Sequence, residues 1–526
     1  SREISQGMGI SLQKIEATKL NISEFTTTSI EAYKYFLKGR EEYEKLYYDE
    51  ARQSLEKAVI LDPEFAVAYL YLARSARGKA REEAYEKAKM HSEKATEKER
   101  LYIEAAYATA VERDPEKRFR ILKQMAKEYP KEKRVHYDLG NYYAGQENDK
   151  AIKELNKALE LDPNYGLALN QLALGYASMG DFEKAIEYFK RYISVSPKDA
   201  NPLDSMALCY FWMGRLEEAE ARYKEALEIK PDWSLSCWAL SYIYALKENY
   251  PEAMKWVDQG IAIVSSPSER AEGLLLKGFF YFWLGRLEQS LRELGPVSDL
   301  AESLGDNFRK SFAGWMAGWV YYERGELELA RRSWKSSFDI YDNKTEYTLC
   351  LGAADVKEGR IDSAKSRLAE VKSLLPEVSP GIRKDFFKFR YDLLRAEVLL
   401  AEGSLDEAIA VGKKLLPLPS PTYAYIATLN LPYRNDVLAR CYRQKGKLDK
   451  AIAEYEQLIT FYPESKSQRL IHPKYHYQLA KLYEEKSWEG KAIDQYEKFL
   501  SLWKDADPGI AEVKDARKRV AGLKSQ

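Results

Sequence analysis

Histidine and cysteine are scarce in this chain of 526 residues, and neither charge is in excess. It carries 82 basic and 82 acidic residues, so its formal net charge is zero. That balance argues against a whole-chain field that would attract nucleic acid or an anionic membrane. The four cysteines, Cys209, Cys237, Cys350 and Cys441, lie too far apart for a zinc-type spacing. We expect them to be reduced thiols that pack as small apolar side chains.

Long apolar runs are absent as well. No stretch approaches the ~20 residues that a membrane-spanning helix needs. The first residues, SREISQGMGISLQ, contain neither an initiator methionine nor the apolar core of a secretory leader. From these features we expect a cytoplasmic chain with no membrane segment in this fragment, cut from a longer protein.

Catalytic and metal-binding motifs are also missing. The sequence has no phosphate-binding loop, no dinucleotide fingerprint, no nucleophile elbow and no kinase signature. His472 and His476 have the spacing of helical metal ligands, but Pro473 between them predicts that a helix begins there and leaves His472 outside it. Paired carboxylates such as Glu217 and Glu218 fall on the outward face of a predicted helix. We therefore predict no catalytic residue, no metal and no cofactor, and a protein that is not an enzyme.

A repeat of fixed length is what the sequence does contain. The stretch GRLEEAEARYKEALEIKPDW restates the upstream stretch GDFEKAIEYFKRYISVSPKD. Ala151, Ala185, Ala219 and Ala253 follow one another at intervals of 34 residues. Such a period is typical of an array of small helical units.

Each repeat divides into two amphipathic helical stretches. Gly214 supplies the turn between them in one such unit, because a residue without Cβ tolerates a positive φ. Ala219 lets the two helices approach closely, and Pro231 ends the second helix. A single unit cannot cover its own apolar face, so each must stack on the next.

This pattern resembles the tetratricopeptide repeat (TPR). The stretches QLALGYASMGDFEKAIEYF, SMALCYFWMGRLEEAEARY, CLGAADVKEGRIDSAKSRL and VLARCYRQKGKLDKAIAEY carry its Leu-Ala/Gly, Tyr, Gly, Ala and aromatic positions. The resemblance covers residues 30 to about 505. It implies an all-α fold, a right-handed α-solenoid of about thirteen helix-turn-helix units closed by a C-terminal capping helix.

Five segments follow from this interpretation. They are a lead-in from a truncated N-terminal region (1–29), the N-terminal and central array (30–374), an irregular, proline-containing joint with one TPR-like unit (375–432), the C-terminal units (433–505) and the capping helix (506–526). We expect the joint to let the solenoid flex. The lead-in SLQKIEATKLNISEFTTTSIEAYKYFLKG and the ending YEKFLSLWKDADPGIAEVKDARKRVAGL are similar to TPR arrays at the C-terminal end of multidomain bacterial regulators, among them serine/threonine kinases, cyclases and transcription factors. That similarity implies a place in bacterial signalling.

The resemblance also implies a binding surface. In TPR proteins, set positions of the first helix of each unit face the concave side, which usually receives the partner. Carried over to this sequence, those positions give the predicted partner-binding residues Asn141, Asn170, Trp212, Trp238, Tyr242, Phe279, Phe282, Trp283, Trp315, Trp319 and Tyr322. Asn141 matches one position of the TPR clamp for a C-terminal carboxylate, but the clamp's basic residues are missing, so we reject that ligand.

Two interpretations of the aromatic residues remain open at this point. They either line a groove for a peptide or protein, or pack as core, as we expect of Trp233, Trp256 and Trp334. We predict a non-catalytic protein-protein interaction scaffold or sensor arm. The alternatives are a self-association module that makes a homo-oligomer of fused effector domains, and a sensor of a small ligand, which would require a closed cavity.

Overall fold

The computed structural model describes residues 27–341, 343–378, 382–415, 435–461 and 469–525. Within these ranges the chain forms 27 α-helices, two short 3-10 helices and no strand. The predicted all-α class is thereby confirmed. Nearly all of the predicted lead-in, and the parts of the predicted joint at 379–381 and 416–434, lie outside the described residues.

The helices are numbered here in chain order. The first twelve are α1 (Ile30–Glu44), α2 (Tyr48–Leu61), α3 (Ala66–Ser75), α4 (Gly78–Met90), α5 (Glu97–Ala110), α6 (Pro115–Glu128), α7 (Lys133–Tyr143), α8 (Asn148–Leu161), α9 (Gly166–Ser178), α10 (Phe182–Val195), α11 (Asn201–Trp212) and α12 (Leu216–Ile229).

The remaining helices described are α13 (Ser234–Leu246), α14 (Tyr250–Ile263), α15 (Pro267–Trp283), α16 (Leu287–Ser303), α17 (Asn307–Arg324), α18 (Leu327–Ile340), α19 (Lys344–Lys357), α20 (Ile361–Leu374), α21 (Ile382–Ala401), α22 (Leu405–Gly412), α23 (Val437–Gln444), α24 (Leu448–Leu458), α25 (Pro473–Glu485), α26 (Glu489–Leu502) and α27 (Ala511–Lys524).

These helices form consecutive pairs, from α1 with α2 to α25 with α26, and a single helix, α27, packs against α26 at the end. The described residues thus hold the predicted number of helical pairs and the predicted capping helix. Pro473 is the first residue of α25 and His472 caps it from outside, as the sequence predicted.

The turn within each pair has a positive φ. Gly180 and Gly214 have φ values of 83° and 76°, a region that glycine enters without steric penalty. Glu248 and Ser487 hold the same place in their pairs, with φ values of 54° and 58°. A side chain at such a position costs free energy.

Small residues let the paired helices approach, as the repeat pattern predicted. Ala185, Ala219 and Ala253 are completely buried. At Gly318 a Cβ atom would lie only 2.2 Å from the indole nitrogen of Trp334, so the glycine forms the notch that this ring fills.

The chain divides into two compact units. The N-terminal unit comprises the residues up to Cys209 and also Lys224–Pro231; the C-terminal unit comprises Tyr210–Tyr223 and the residues from Asp232 onward. The division falls within α11 and α12. In the N-terminal unit, the turn between α1 and α2 meets the start of α11, where the backbone N–H of Ala200 donates to the hydroxyl oxygen of Tyr47 at 3.1 Å.

All four cysteines are free and buried, as expected. Burial raises the pKa of Cys209 and of Cys237 to about 12, and that of Cys441 to about 11. These thiols are therefore protonated at neutral pH and act as small packing groups.

Candidate partner-binding surfaces

In each unit the predicted binding residues lie on or next to the first helices of the pairs. We call the surface that these first helices form the first-helix surface. In the C-terminal unit that surface is contacted by residues 469–525, which we call the C-terminal segment. The indole N–H of Trp283, at the end of α15, donates to the carbonyl oxygen of Ile471 at 3.2 Å. The indole N–H of Trp503 donates to the carbonyl oxygen of Trp283 at 3.1 Å. The rings of Trp283 and His472 lie edge to face, 4.5 Å apart.

The turn after α15 is held by the same segment. The backbone N–H of Asp507 donates to the carbonyl oxygen of Gly285 at 2.9 Å, and the Asp507 carboxylate accepts from the backbone N–H of Glu288, also at 2.9 Å. A Cβ atom at Gly285 would lie 3.0 Å from the ring of Trp503. The glycine is therefore required here both by its φ of 71° and by the close approach of an indole ring.

A buried lysine makes the third contact. Lys474 Nζ lies 2.6 Å from Glu323 Oε1, on α17, and 2.7 Å from Glu512 Oε1, on α27. Burial lowers the pKa of Lys474, but the two carboxylates outweigh burial, so that its pKa lies above the ordinary value. One cation thus joins three helices of the C-terminal unit.

Glu248, in the turn after α13, provides the fourth contact. Its carboxylate accepts from His476 Nε2 at 3.0 Å and from Lys498 Nζ at 2.8 Å. Burial raises the pKa of Glu248, but the hydrogen bonds from His476 and Lys498 lower it further, and the result lies below the ordinary value. These two hydrogen bonds offset the free-energy cost of the positive φ of Glu248. Through them, its side chain contacts two helices of the C-terminal segment.

The predicted aromatic residues of this unit are mostly covered. The side chains that are buried are Trp238, Tyr242, Phe279, Phe282, Trp283, Trp315 and Trp319. Trp212 and Tyr322 are half-buried. Of the three tryptophans expected in the core, Trp233 and Trp334 are buried and Trp256 is half-buried.

Some of these rings pack between neighbouring pairs. The Trp238 ring fills notches at Gly260 and Gly273, where a Cβ atom would lie 2.3 Å and 2.7 Å from it. The Trp315 indole N–H donates to Glu346 at 2.9 Å, and the Trp319 ring lies 5.0 Å from that of Trp334. In this structure the rings are therefore used within the chain, and a role in binding a partner stays a prediction.

The C-terminal unit also contains a cavity of about 850 Å³ that is partly open to solvent. Its charged lining residues are of both signs and include Glu323, Lys357, Glu397, Arg440, Lys474 and Glu512. Burial lowers the pKa of Lys357, whose ammonium group lies 4.2 Å from the centre of the Tyr322 ring. Arg440 pairs with Asp436 at 2.9 Å and also with Glu397.

The first-helix surface of the N-terminal unit holds the other two predicted residues. The Asn141 side chain, on α7, lies close to the hydroxyl group of Tyr137. Asn170, on α9, is buried, and its side-chain oxygen has no hydrogen-bond partner among the described residues.

Several arginines and tyrosines surround these positions. We call them the arginine–tyrosine cluster, and its members are Tyr43, Tyr71, Arg74, Tyr102, Arg118, Arg134, Tyr137 and Asp138. Apart from Arg118, on α6, all of them lie on first helices, namely α1, α3, α5 and α7.

Asp138 is the carboxylate at the centre of this cluster. It accepts from Arg134 Nε at 3.3 Å and lies 3.9 Å from Arg118 Nη2. The guanidinium group of Arg134 lies 5.1 Å from the centre of the Tyr137 ring, and that of Arg74 lies 5.3 Å from the centre of the Tyr71 ring. At these distances the rings attract the cations.

Sequence reasoning missed this cluster. The only local signal is the spacing of Arg134 and Asp138, which lie four residues apart and so share a helix face. Arg74 comes from another repeat at a position that does not match the clamp. Only the fold brings the two arginines together.

No helix in the described part of the chain is long and apolar enough to cross a bilayer. No group of three or more His, Cys, Asp or Glu residues in that part of the chain is arranged to hold a metal ion.

Comparison with known proteins identifies the repeat. Models of the tetratricopeptide repeat family match residues 137–205, 176–241 and 438–465. No curated protein matches the chain.

Solved structures with detectable similarity include three repeat proteins. A MamA structure is 22% identical over 30% of this chain and 91% of its own, with a TM-score of 0.26. PilW, a type IV pilus biogenesis factor, is 17% identical over 43% of this chain and 96% of its own, with a TM-score of 0.30. The Cut9–Hcn1 hetero-tetramer of the APC/C is 16% identical over 93% of this chain and 96% of its own, with a TM-score of 0.33. Scores this low do not support a likeness in overall shape or in function.

Proposed function

We propose that this chain, which carries tetratricopeptide repeats at residues 137–241 and 438–465, is a non-catalytic scaffold that binds a protein segment on its first-helix surface. The observation that carries this proposal is the contrast between the two units. In the C-terminal unit, the C-terminal segment packs on the first-helix surface. The N-terminal unit presents half-buried rings and polar groups there, around Asn141.

The partner therefore binds first to the N-terminal unit, in the region of Asn141 and Asn170. The aromatic residues of the C-terminal unit could bind a partner only by replacing contacts such as the one between Trp283 and Ile471. The similarity of the chain's ends to arrays in bacterial regulators supports a signalling context for this scaffold.

Site-specific photo-crosslinking tests the proposal. A photo-crosslinking amino acid placed at Asn141, on the first helix of its pair, should capture the partner in cell extract. The same amino acid at Lys153, an exposed position on the second helix of that pair, should not. Equal capture from both positions, or capture from Lys153 alone, would show that the first-helix surface is not the binding surface.

The cavity of the C-terminal unit favours a second candidate function. Its lining carries ammonium, guanidinium and carboxylate groups, which suits a small zwitterion such as an amino acid. A panel of amino acids should then contain one that raises the melting temperature of the wild-type protein but not that of Lys357→Gln. If no member of the panel shifts the wild-type melting temperature, this second function is wrong.

Self-association is the remaining alternative. Light scattering over a range of protein concentrations distinguishes it, because a groove binder should keep one molar mass while a self-association module should gain mass with concentration.

A further inference from the structure

We propose that the arginine–tyrosine cluster of the N-terminal unit binds a carboxylate side chain of an extended acidic protein segment. This inference rests on the proposed scaffold function and adds the chemistry of the partner. It depends on three features of the cluster: its charge, its unsatisfied donors and its aromatic walls.

The cluster holds more positive than negative charge. Arg74, Arg118 and Arg134 share one carboxylate, Asp138, within the cluster. Among the described residues, Arg74 has no carboxylate within ion-pair distance, and its contact is with the Tyr71 ring. Burial disfavours the charge of Arg74, and Arg134, which lies within electrostatic range, repels it. Tyr43, Asp138 and Tyr71 outweigh both effects, so that the pKa of Arg74 lies above its ordinary value.

The charged groups around the cluster do not cancel this excess. Glu44 lies within range of Tyr165, and Glu132 already pairs with a lysine 3.1 Å away. Arg77 adds a further cation, within range of Tyr48. The balance stays positive, and a bound anion would relieve the repulsion.

Two hydrogen-bond donors of the cluster are buried without an acceptor. They are Arg134 Nη1 and the hydroxyl group of Tyr102, neither of which has a partner among the described residues. Arg134 and Asp138 both lie within electrostatic range of Tyr102. A buried donor without an acceptor is unfavourable, and a carboxylate oxygen would supply one.

The shape of the guanidinium group suits the same ligand. Arg74 makes no side-chain hydrogen bond among the described residues, so one edge of its planar guanidinium group can donate two parallel hydrogen bonds to a carboxylate. The Tyr71 and Tyr137 rings would contact the methylene groups of a glutamate side chain. Nucleic acid fits less well, because its affinity comes from several phosphates along a track, whereas these cations form one compact group.

The test measures binding of labelled hexaglutamate to the full chain by fluorescence anisotropy at low salt. Hexaglutamine and oligothymidylate serve as parallel probes. We expect hexaglutamate to bind and hexaglutamine not to bind. Equal binding of both peptides would overturn the role of the carboxylate, and binding of oligothymidylate without hexaglutamate would overturn the choice of a protein segment.

Two variants locate the site and one controls for lost charge. Arg74→Gln should weaken hexaglutamate binding about tenfold, because it removes a charge-assisted pair of hydrogen bonds. Tyr102→Phe should weaken it by a smaller factor while the ring stays in place. Arg191→Gln is the matched control: this exposed arginine also lies over a tyrosine ring, that of Tyr188, at 5.3 Å, but is outside the cluster.

Affinity that falls equally in Arg74→Gln and Arg191→Gln would show a diffuse charge effect and overturn the site. This outcome is distinct from failure of the scaffold function, which is judged by partner capture at Asn141. If Asn141 captures a partner while hexaglutamate does not bind, the scaffold stands and the acidic segment is wrong.

Discussion

The two units use the same surface of the same repeat in opposite ways. On the first-helix surface of the C-terminal unit, the ammonium group of Lys474 has two carboxylates and the indole N–H of Trp283 has a carbonyl oxygen. On that of the N-terminal unit, Arg134 Nη1 and the Tyr102 hydroxyl group have no acceptor among the described residues. The repeat therefore does not dictate whether the surface is occupied. The first-helix surface is covered in the unit where another segment of the same chain packs on it.

Of the substitutions that test this contrast between the two units, Trp283→Ala should have the largest effect on stability. Loss of the buried ring and of its indole hydrogen bond to the carbonyl oxygen of Ile471 should lower the free energy of unfolding by about 4 kcal/mol. Urea denaturation followed by circular dichroism measures this change.

Trp488→Ala is the control for that variant, because Trp488 is 40% exposed whereas Trp283 is 2% exposed. It should cost less than about 1 kcal/mol. Equal losses in the two variants would mean that Trp283 does not hold the segment in solution.

Lys474→Met should have the next largest effect. It leaves Glu323 and Glu512 without their shared cation, and Glu323 is only 11% exposed. We expect a loss of about 3 kcal/mol, because a buried ion pair is costly when one partner is removed. Lys335→Met, at an exposed pair with Asp339, should cost less than about 0.5 kcal/mol in the same urea experiment. A Lys474 variant as stable as the Lys335 variant would contradict the proposed bridge.

A pH dependence should follow from His472, on which Trp283 packs. Burial, with smaller contributions from Lys474 and His476, holds the pKa of His472 well below its ordinary value. The unfolded chain then binds a proton that the folded chain does not, so stability falls as the pH drops below about 6.5.

The slope of that loss should approach about 1.4 kcal/mol per pH unit as the pH falls from 6.5 to 5. His472→Asn keeps a side chain that can cap α25 but removes the titrating group. Urea denaturation at a series of pH values should give the two proteins different slopes. Parallel slopes would show that His472 is not buried in the neutral form.

The smallest effect sharpens the contrast through a pair of hydroxyl deletions. Tyr477, in the C-terminal segment, donates to Asp515 at 2.8 Å, so Tyr477→Phe should cost about 1 kcal/mol. Tyr102→Phe removes a hydroxyl group that makes no such bond and should change stability by less than about 0.5 kcal/mol. Thermal unfolding of the two variants gives the comparison, and a larger loss for Tyr102→Phe would mean that this group is satisfied in the free protein.

Local pattern was enough to predict the fold. The interval between Ala185 and Ala219, the turn at Gly214 and the stop at Pro231 all act within one repeat, and they fix where helices begin, end and touch. The helical pairs, the buried alanines and the closing helix followed from them.

The sites could not be predicted in this way, because they depend on residues far apart in the sequence. Nothing near Trp238 indicates that Gly260 and Gly273 leave room for its ring. Likewise, nothing near Arg74 indicates that Arg134, two pairs later, lies within its field. An aromatic or basic residue on a first helix has the same local pattern whether it contacts a partner, a neighbouring repeat or a distant one.

The contact between Trp283 and Ile471 has a further consequence, for the way the protein folds. Repeat proteins with contacts only between neighbours can unfold from one end, one repeat at a time. Here that hydrogen bond spans 188 positions, and the one between Glu248 and His476 spans 228. Neither can form until the long stretch of chain between its ends is already in place, and neither survives if that stretch melts. The C-terminal unit should therefore unfold in one cooperative transition. It should also refold more slowly than helical proteins that have only local contacts, because residues far apart in its sequence must come into contact.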